Sequence, residues 1–229
     1  MTALIKQNIA TITAQIRSWE QQYQRQPLAV TLMAVSKTRN ATEVRAAYDA
    51  GLRCIGENYL QEAQQKIAEL ADLPDLQWHF IGPLQSNKSR AVAEQFSWIH
   101  SVDRPKLAKR LAEQRPASLG PLNVCLQLNI SGEQSKSGCS LADLPNLAAT
   151  VAELPGLCLR GLMVIPKASG DPAEQRQVFA EATAVFHDLQ SRYSTVDTLS
   201  MGMSGDIEAA VAEGTTMVRV GTAIFGARS

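Results

Sequence analysis

Val30-Thr31-Leu32-Met33-Ala34-Val35-Ser36-Lys37-Thr38-Arg39-Asn40, with the helical stretch 41–50 behind it, is the first repeat unit of this chain. The run 30–36 is largely apolar and reads as a strand buried on both faces. Lys37 stands where that strand ends. Outward from this unit the pattern recurs. Strands are expected at 30–36, 54–56, 78–82, 98–102, 124–130, 159–165, 198–201 and 217–221, and helices at 41–50, 59–70, 87–95, 105–115, 141–153, 172–192 and 207–213. Pro105 and Pro172 suit first-turn positions, and Thr42 and Ser204 read as caps. Eight strands, seven of them followed by a helix and none separated by a Gly/Ser or charged linker, imply a parallel sheet. The expected class is α/β: a single (β/α)8 TIM-like barrel occupying residues 1–229 as one domain. An open doubly wound sheet is the runner-up.

An additional helix is expected over 2–25. Its apolar positions Ile5, Ile9, Ile12, Ile16, Trp19 and Tyr23 form one stripe of under three heptads. A partner-binding seam is one reading of that stripe; packing against the chain's own barrel is preferred. There it would cover surface left bare by the lack of a substantial helix after 217–221. A monomer is therefore expected.

The chain has 229 residues and a formal net charge of zero, so no basic excess invites nucleic acid or an acidic membrane surface. Cys54, Cys125, Cys139 and Cys158 lie far apart and form no metal-ligand spacing; Cys54, Cys125 and Cys158 read as buried reduced thiols. The first residues are amphipathic rather than a continuous apolar leader, and no stretch reaches spanning length. A soluble cytoplasmic protein is expected.

Burial of Lys37 at a strand's C-terminal end would favour the neutral amine, the form that attacks a carbonyl to make a Schiff base. Two glycine-bearing turns lie far along the chain. One is Ser200-Met201-Gly202-Met203-Ser204-Gly205-Asp206 and the other Gly221-Thr222. They follow the seventh and eighth strands, where barrels commonly hold phosphate. Gly202, Gly205 and Gly221 admit an anion to backbone N–H groups, while Ser200, Ser204 and Thr222 add hydroxyl donors. Alternatively the glycines only form turns and Ser204 only caps a helix. Asp206 suits an anion site only if its side chain points away. A lysine with a phosphate cradle points to pyridoxal 5'-phosphate.

Arg219 alternates with Val218 and Val220 and so faces the barrel interior if the valines face the helices. Its partner is either an internal carboxylate or a ligand's ring nitrogen or phosphate. Asn58 either donates to a ligand oxygen or caps a helix. His79 reads as a hydrogen-bonded structural residue, no second histidine standing at useful spacing, and neither His100 nor His187 receives a role. The loop 131–138, with Ser135, Lys136 and Ser137, is solvated but lies at the ligand face. No metal site, catalytic triad or carboxylate pair is legible.

Ala34-Val35-Ser36-Lys37-Thr38, Gly56-Glu57-Asn58-Tyr59, the run from His79 to Lys88 (HFIGPLQSNK), Gly161-Leu162-Met163, Ser200 to Asp206 (SMGMSGD) and Arg219 to Gly226 (RVGTAIFG) follow in order along nearly the whole chain. Together they resemble the pyridoxal phosphate homeostasis protein family. The resemblance implies a barrel like the cofactor domain of alanine racemase, with the cofactor as an internal aldimine on Lys37. It further implies phosphate contacts from Ser200, Ser204, Gly221 and Thr222, Arg219 near the pyridine nitrogen, and Asn58, His79 and Met201 lining the pocket. The implied role is cofactor storage or delivery in intracellular vitamin B6 homeostasis, without a well-defined turnover. Implied partners are the cofactor, cofactor-dependent apo-enzymes or small amino and keto acids. The alternative is a fold-III amino-acid racemase or decarboxylase, which needs a second acid/base opposite Lys37; Tyr59 and His79 are the candidates.

Overall fold

Eight parallel strands pair in chain order: β1 (Thr31–Val35), β2 (Cys54–Glu57), β3 (Gln77–Phe80), β4 (Trp98–Val102), β5 (Leu122–Leu128), β6 (Leu157–Val164), β7 (Thr198–Ser200) and β8 (Met217–Val220). Pairing of β1 with β8, Ala34 opposite Val220, closes the barrel and overturns the open-sheet alternative. The computed structural model describes residues 2–133 and 137–227. The helices are α1 (Thr2–Gln22), α2 (Ala41–Asp49), α3 (Leu60–Glu69), α4 (Ser89–Gln95), α5 (Pro105–Gln114), α6 (Leu144–Glu153), α7 (Pro172–Arg192), α8 (Ile207–Ala212) and α9 (Thr222–Phe225). The one-turn α9 was not anticipated, because four residues carry no readable period.

Strand alternation sorts the core into two layers. Leu32 and Ala34 join the strand-to-helix core, whereas Met33 and Val35 meet Ile81 and Met217 inside the barrel. Trp98, Cys125 and Met163 fill a second interior cluster. Arg160 lies over the Trp98 ring, 4.6 Å from its centroid, and pairs with Asp197. A register shift between β5 and β6 sits beside it, and there Gly161 adopts φ +146°. A Cβ on Gly161 would stand 1.9 Å from the Thr198 carbonyl oxygen, so only glycine lets β6 and β7 approach.

Two expected caps move. Asn40, not Thr42, caps α2: its side chain accepts the Glu43 N–H at 2.9 Å, and the Glu43 carboxylate accepts the Asn40 N–H at 3.0 Å. Thr42 already lies inside the helix, where the first N–H groups are out of its reach. At α8 the cap position is Asp206, and Ser204 is exposed in the preceding turn. Pro105 and Pro172 do open their helices, and Asp171 accepts the Ala173 N–H ahead of α7.

Helix α1 spends its stripe on the barrel. Ile5, Ile9, Ile12 and Ile16 are buried in the main core, with Trp19 and Tyr23 partly covered. Asn8 donates to the Ile224 carbonyl at 2.9 Å, and Arg25 donates to the carbonyls of Val211 and Thr215. Buried Glu20 accepts the Val30 N–H at 2.8 Å, tying α1 to the start of β1. The helix therefore seals the side of the barrel at α8, α9 and α2.

Candidate functional site

The closing seam sets the site. Because Ala34 faces Val220, Lys37 leaves β1 at the same end, and from the neighbouring strand, as Gly221 and Thr222 leave β8. Gly221 backs onto β1: a Cβ there would stand 3.2 Å from the Val35 carbonyl oxygen. Lys37 is half-buried rather than fully enclosed, and among the described residues its amine has no hydrogen-bond partner.

Arg219 occupies the interior, as alternation requires, at 4% exposure. Its Nη1 donates to the Ser200 carbonyl at 2.7 Å and to Ser200 Oγ at 2.8 Å, and its Nη2 donates to the Val164 carbonyl at 3.0 Å. No carboxylate forms an ion pair with it among the described residues, so the internal-carboxylate reading fails. Burial lowers its pKa to about 10, which leaves it cationic at neutral pH. Three of its five N–H bonds are used; the Nε–H and one Nη2–H remain for a further acceptor. Ser200, at the start of the first glycine turn, is fully buried and supports Arg219.

In the turn after β7, Gly202 takes φ +94°, and a Cβ there would meet that of Ala210 at 2.6 Å. Gly202 therefore seats the turn on α8. Gly205 is open on its Cβ side, and Ser204 is exposed next to it. The Asp206 carboxylate accepts the Met203 N–H at 2.5 Å, so its side chain is committed to the loop's own backbone. Burial raises the Asp206 pKa, opposed by that hydrogen bond and then by Arg219. The Met201 side chain does not follow Ser200 inward. Alternation with inward Ser200 turns it outward, into the strand-to-helix core with Ile207 and Ala210.

Asn58 follows β2 and does not cap α3, whose cap position is Tyr59 and makes no side-chain cap bond. Its Oδ1 is buried without a partner among the described residues. The backbone there is packed against the end of β3, since a Cβ on Gly82 would fall 2.2 Å from the Asn58 carbonyl oxygen. Asn58, Tyr59, Gln85, Lys88 and Arg104 follow the C-terminal ends of β2, β3 and β4 and line a cleft of about 680 Å³. Tyr59 is 53% exposed there.

Two buried groupings escaped the reading of the sequence. His79 Nδ1 and His100 Nε2 are 3.0 Å apart, with His79 stacked on Trp98. Burial holds His79 down at about 3 and keeps His100 well below its ordinary value, the latter also repelled by His79 and Arg219. Both rings are therefore neutral. The signal available was that His79 and His100 each face inward on adjacent strands. The second grouping joins Ser36, Glu57 and Lys66. Ser36 Oγ donates to Glu57 Oε1, and Lys66 Nζ donates to the same oxygen at 2.6 Å and to the Ser36 carbonyl at 2.7 Å. Burial pushes the Glu57 carboxyl up, against the attraction of Lys66. Gly56-Glu57 at a strand end was visible, but nothing local linked it to Lys66.

The thiols are free; Cys125 and Cys139 are buried, whereas Cys54 and Cys158 are half-buried. Burial pushes Cys54 to about 11 and Cys139 to about 12, which leaves them protonated and unreactive. Ser135 and Lys136 lie outside the described residues.

Residues 7–229 match the family described as alanine racemase, N-terminal domain. The pyridoxal phosphate homeostasis protein of Pseudomonas aeruginosa is 60% identical over 224 residues, covering 98% of this chain and 96% of that protein. Its namesake in Escherichia coli K12 is 54% identical over 226 residues, covering 98% and 97%. The chain belongs to the pyridoxal phosphate homeostasis protein family. The resemblance carried by the motifs is borne out. Among solved structures, PipY of Synechococcus elongatus with PLP bound is 42% identical, with a TM-score of 0.83 over 97% of this chain and 100% of that one. Among the described residues no helix is long and apolar enough to cross a membrane.

Proposed function

We propose that this chain binds pyridoxal 5'-phosphate through Lys37 and holds or delivers it inside the cell, without a defined turnover of its own. The observation that carries the reading is Arg219: a buried guanidinium with no carboxylate partner and two uncommitted donors, at the barrel end where Lys37 and the glycine turns converge. A buried charge of that kind calls for an acceptor, and a ring nitrogen or phosphate oxygen supplies one. The orphaned Asn58 Oδ1 and the open Gly205 add polar capacity at the same mouth. The likeness to PipY, solved with PLP bound, supports the same ligand.

When bound, the cofactor supplies an electron-accepting ring conjugated to its aldehyde carbon. Lys37 would be the amine that holds the aldehyde. Gly221, Thr222, Ser204 and Gly205 would offer backbone and hydroxyl donors to its phosphate. Arg219, donor-only and cationic, would keep a proton off a ring nitrogen that accepted its hydrogen bond. An unprotonated ring is a poor electron sink, which suits carriage better than turnover. Of the two candidates for a second base, His79 is enclosed and hydrogen-bonded to His100, and Tyr59 is exposed at the cleft it shares with Gln85, Lys88 and Arg104. The preferred setting is the cytoplasm, with a monomer meeting cofactor-dependent apo-enzymes.

Borohydride reduction of the protein mixed with pyridoxal 5'-phosphate should fix the cofactor's mass on the peptide containing Lys37, and Lys37→Ala should abolish the label. Pyridoxal itself should label far more slowly, because it lacks the anion that the turns bind. A label on another lysine, Lys136 for instance, would overturn the assignment. Enzyme-like deuterium wash-in at the α-carbon of L-amino acids would favour the racemase reading instead.

A further inference from the structure

Lys37 is the second residue of a tight turn. The Arg39 N–H donates to the Ser36 carbonyl at 3.0 Å, and Thr38, the third residue, has φ +63°. Positive φ at that position favours glycine or asparagine, and a β-branched residue there is strained. Two side chains of α3 hold the flanks of the turn. Glu62 Oε2 accepts the Thr38 N–H at 2.8 Å, and Lys66 Nζ donates to the Ser36 carbonyl at 2.7 Å. Positions 62 and 66 lie one helical turn apart and share a face. Lys66 is buried, with Glu57 as its counter-charge at 2.6 Å. The Ser36 carbonyl and the Thr38 N–H, which flank Lys37, are thus both fastened to α3.

We propose that Glu62 and Lys66 are positioning residues that hold the turn from Ser36 to Arg39 in its strained form and so present the Lys37 amine for cofactor capture. The inference rests on Lys37 being the capturing lysine. Strained backbone persists only where the surroundings over-determine it, and here the surroundings are two charged side chains. A glycine at position 38 would adopt the same φ unaided. With threonine there, the presentation of Lys37 depends on α3. The arrangement also makes α3 part of the apparatus of capture.

The test uses the full-length, cofactor-free protein mixed with pyridoxal 5'-phosphate, quenched with borohydride over time, the label on the Lys37 peptide being quantified. Glu62→Ala should slow labelling by roughly fivefold or more, the scale set by losing a hydrogen bond to a charged acceptor that offsets backbone strain. Adding Thr38→Gly to that variant should restore the rate to within about twofold of wild type, since glycine removes the strain. Lys66→Met alone would leave Glu57 buried and unpaired, so it is made together with Glu57→Gln; it should slow labelling likewise. Without any cofactor, the amides of Thr38 and Arg39 should exchange hydrogen about tenfold faster in Glu62→Ala, at the scale of one lost charged hydrogen bond. Wild-type labelling of Lys37 in Glu62→Ala overturns the clamp and leaves the Lys37 assignment standing. Slowing that Thr38→Gly fails to relieve also overturns it, because the defect then lies elsewhere than in the turn. Label on a different lysine in wild type overturns the assignment and, with it, the purpose of the clamp.

Discussion

His79 and His100 show how a residue's environment replaces its intrinsic chemistry. Each would titrate near 6.5 in the unfolded chain, but burial keeps both neutral in the fold, His79 down to about 3. Folding therefore expels protons below pH 6.5. The stability due to neutral burial is complete above that pH and is lost as the pH falls towards about 3. Between pH 7.5 and 5.5 the loss should be about 1.4 kcal/mol for each histidine. Glu57, whose carboxyl is raised, acts with the opposite sign. Comparing wild type with His100→Gln cancels that contribution. Urea unfolding at the two pH values should show the drop roughly halved in the variant; equal drops would mean that His100 titrates freely.

At the scale of the element, α1 is a structural part of the barrel rather than an appendage. Its four isoleucines are buried in the main core, its polar side chains reach the start of β1 and α9, and Arg25 just beyond it reaches α8. Ile12→Glu would bury an unpaired carboxylate in that layer, at a cost of about 3–5 kcal/mol by analogy with a broken buried ion pair. Thr11→Glu, on the exposed side of the same helix, should stay within about 0.5 kcal/mol of wild type. Denaturant midpoints of the two variants check this. A monomeric, fully stable Ile12→Glu protein would show that α1 contributes no packing.

For the whole molecule, the stripe that could have served as an interface is used up internally, so sedimentation velocity should give a single monomeric species. Ligand linkage offers a second observable. Pyridoxal 5'-phosphate at a hundredfold over its dissociation constant should stabilise the fold by about 2.7 kcal/mol through mass action. The resulting rise in Tm should vanish in Lys37→Ala. A rise that survives the substitution would place the dominant site elsewhere.

Local pattern carried much of this far. Runs such as 30–36 and 217–221 identify strands because burial on both faces demands continuous apolar residues, and alternation alone turned Arg219 inward. The stripe from Ile5 to Tyr23 named its own buried face for the same reason. Lys37 at a strand end and the glycines near 202 and 221 were legible as chemistry because their positions along βα units fix which end of the barrel they occupy. What distant strands do to each other was not legible. The pairing of His79 with His100, the burial of Lys66 beneath Glu57 and Ser36, and the use of Ser200 as a support for Arg219 all depend on inter-strand register and on the facing of a helix. Those are set when the whole barrel closes between β1 and β8. Met201 shows the same limit: its motif position lies beside the mouth, but period-two geometry turns its side chain into the strand-to-helix core. The sequence by itself determined the elements and the ends they present; only the closed barrel decided which polar groups meet in its interior, because register is a property of the sheet and not of any one strand.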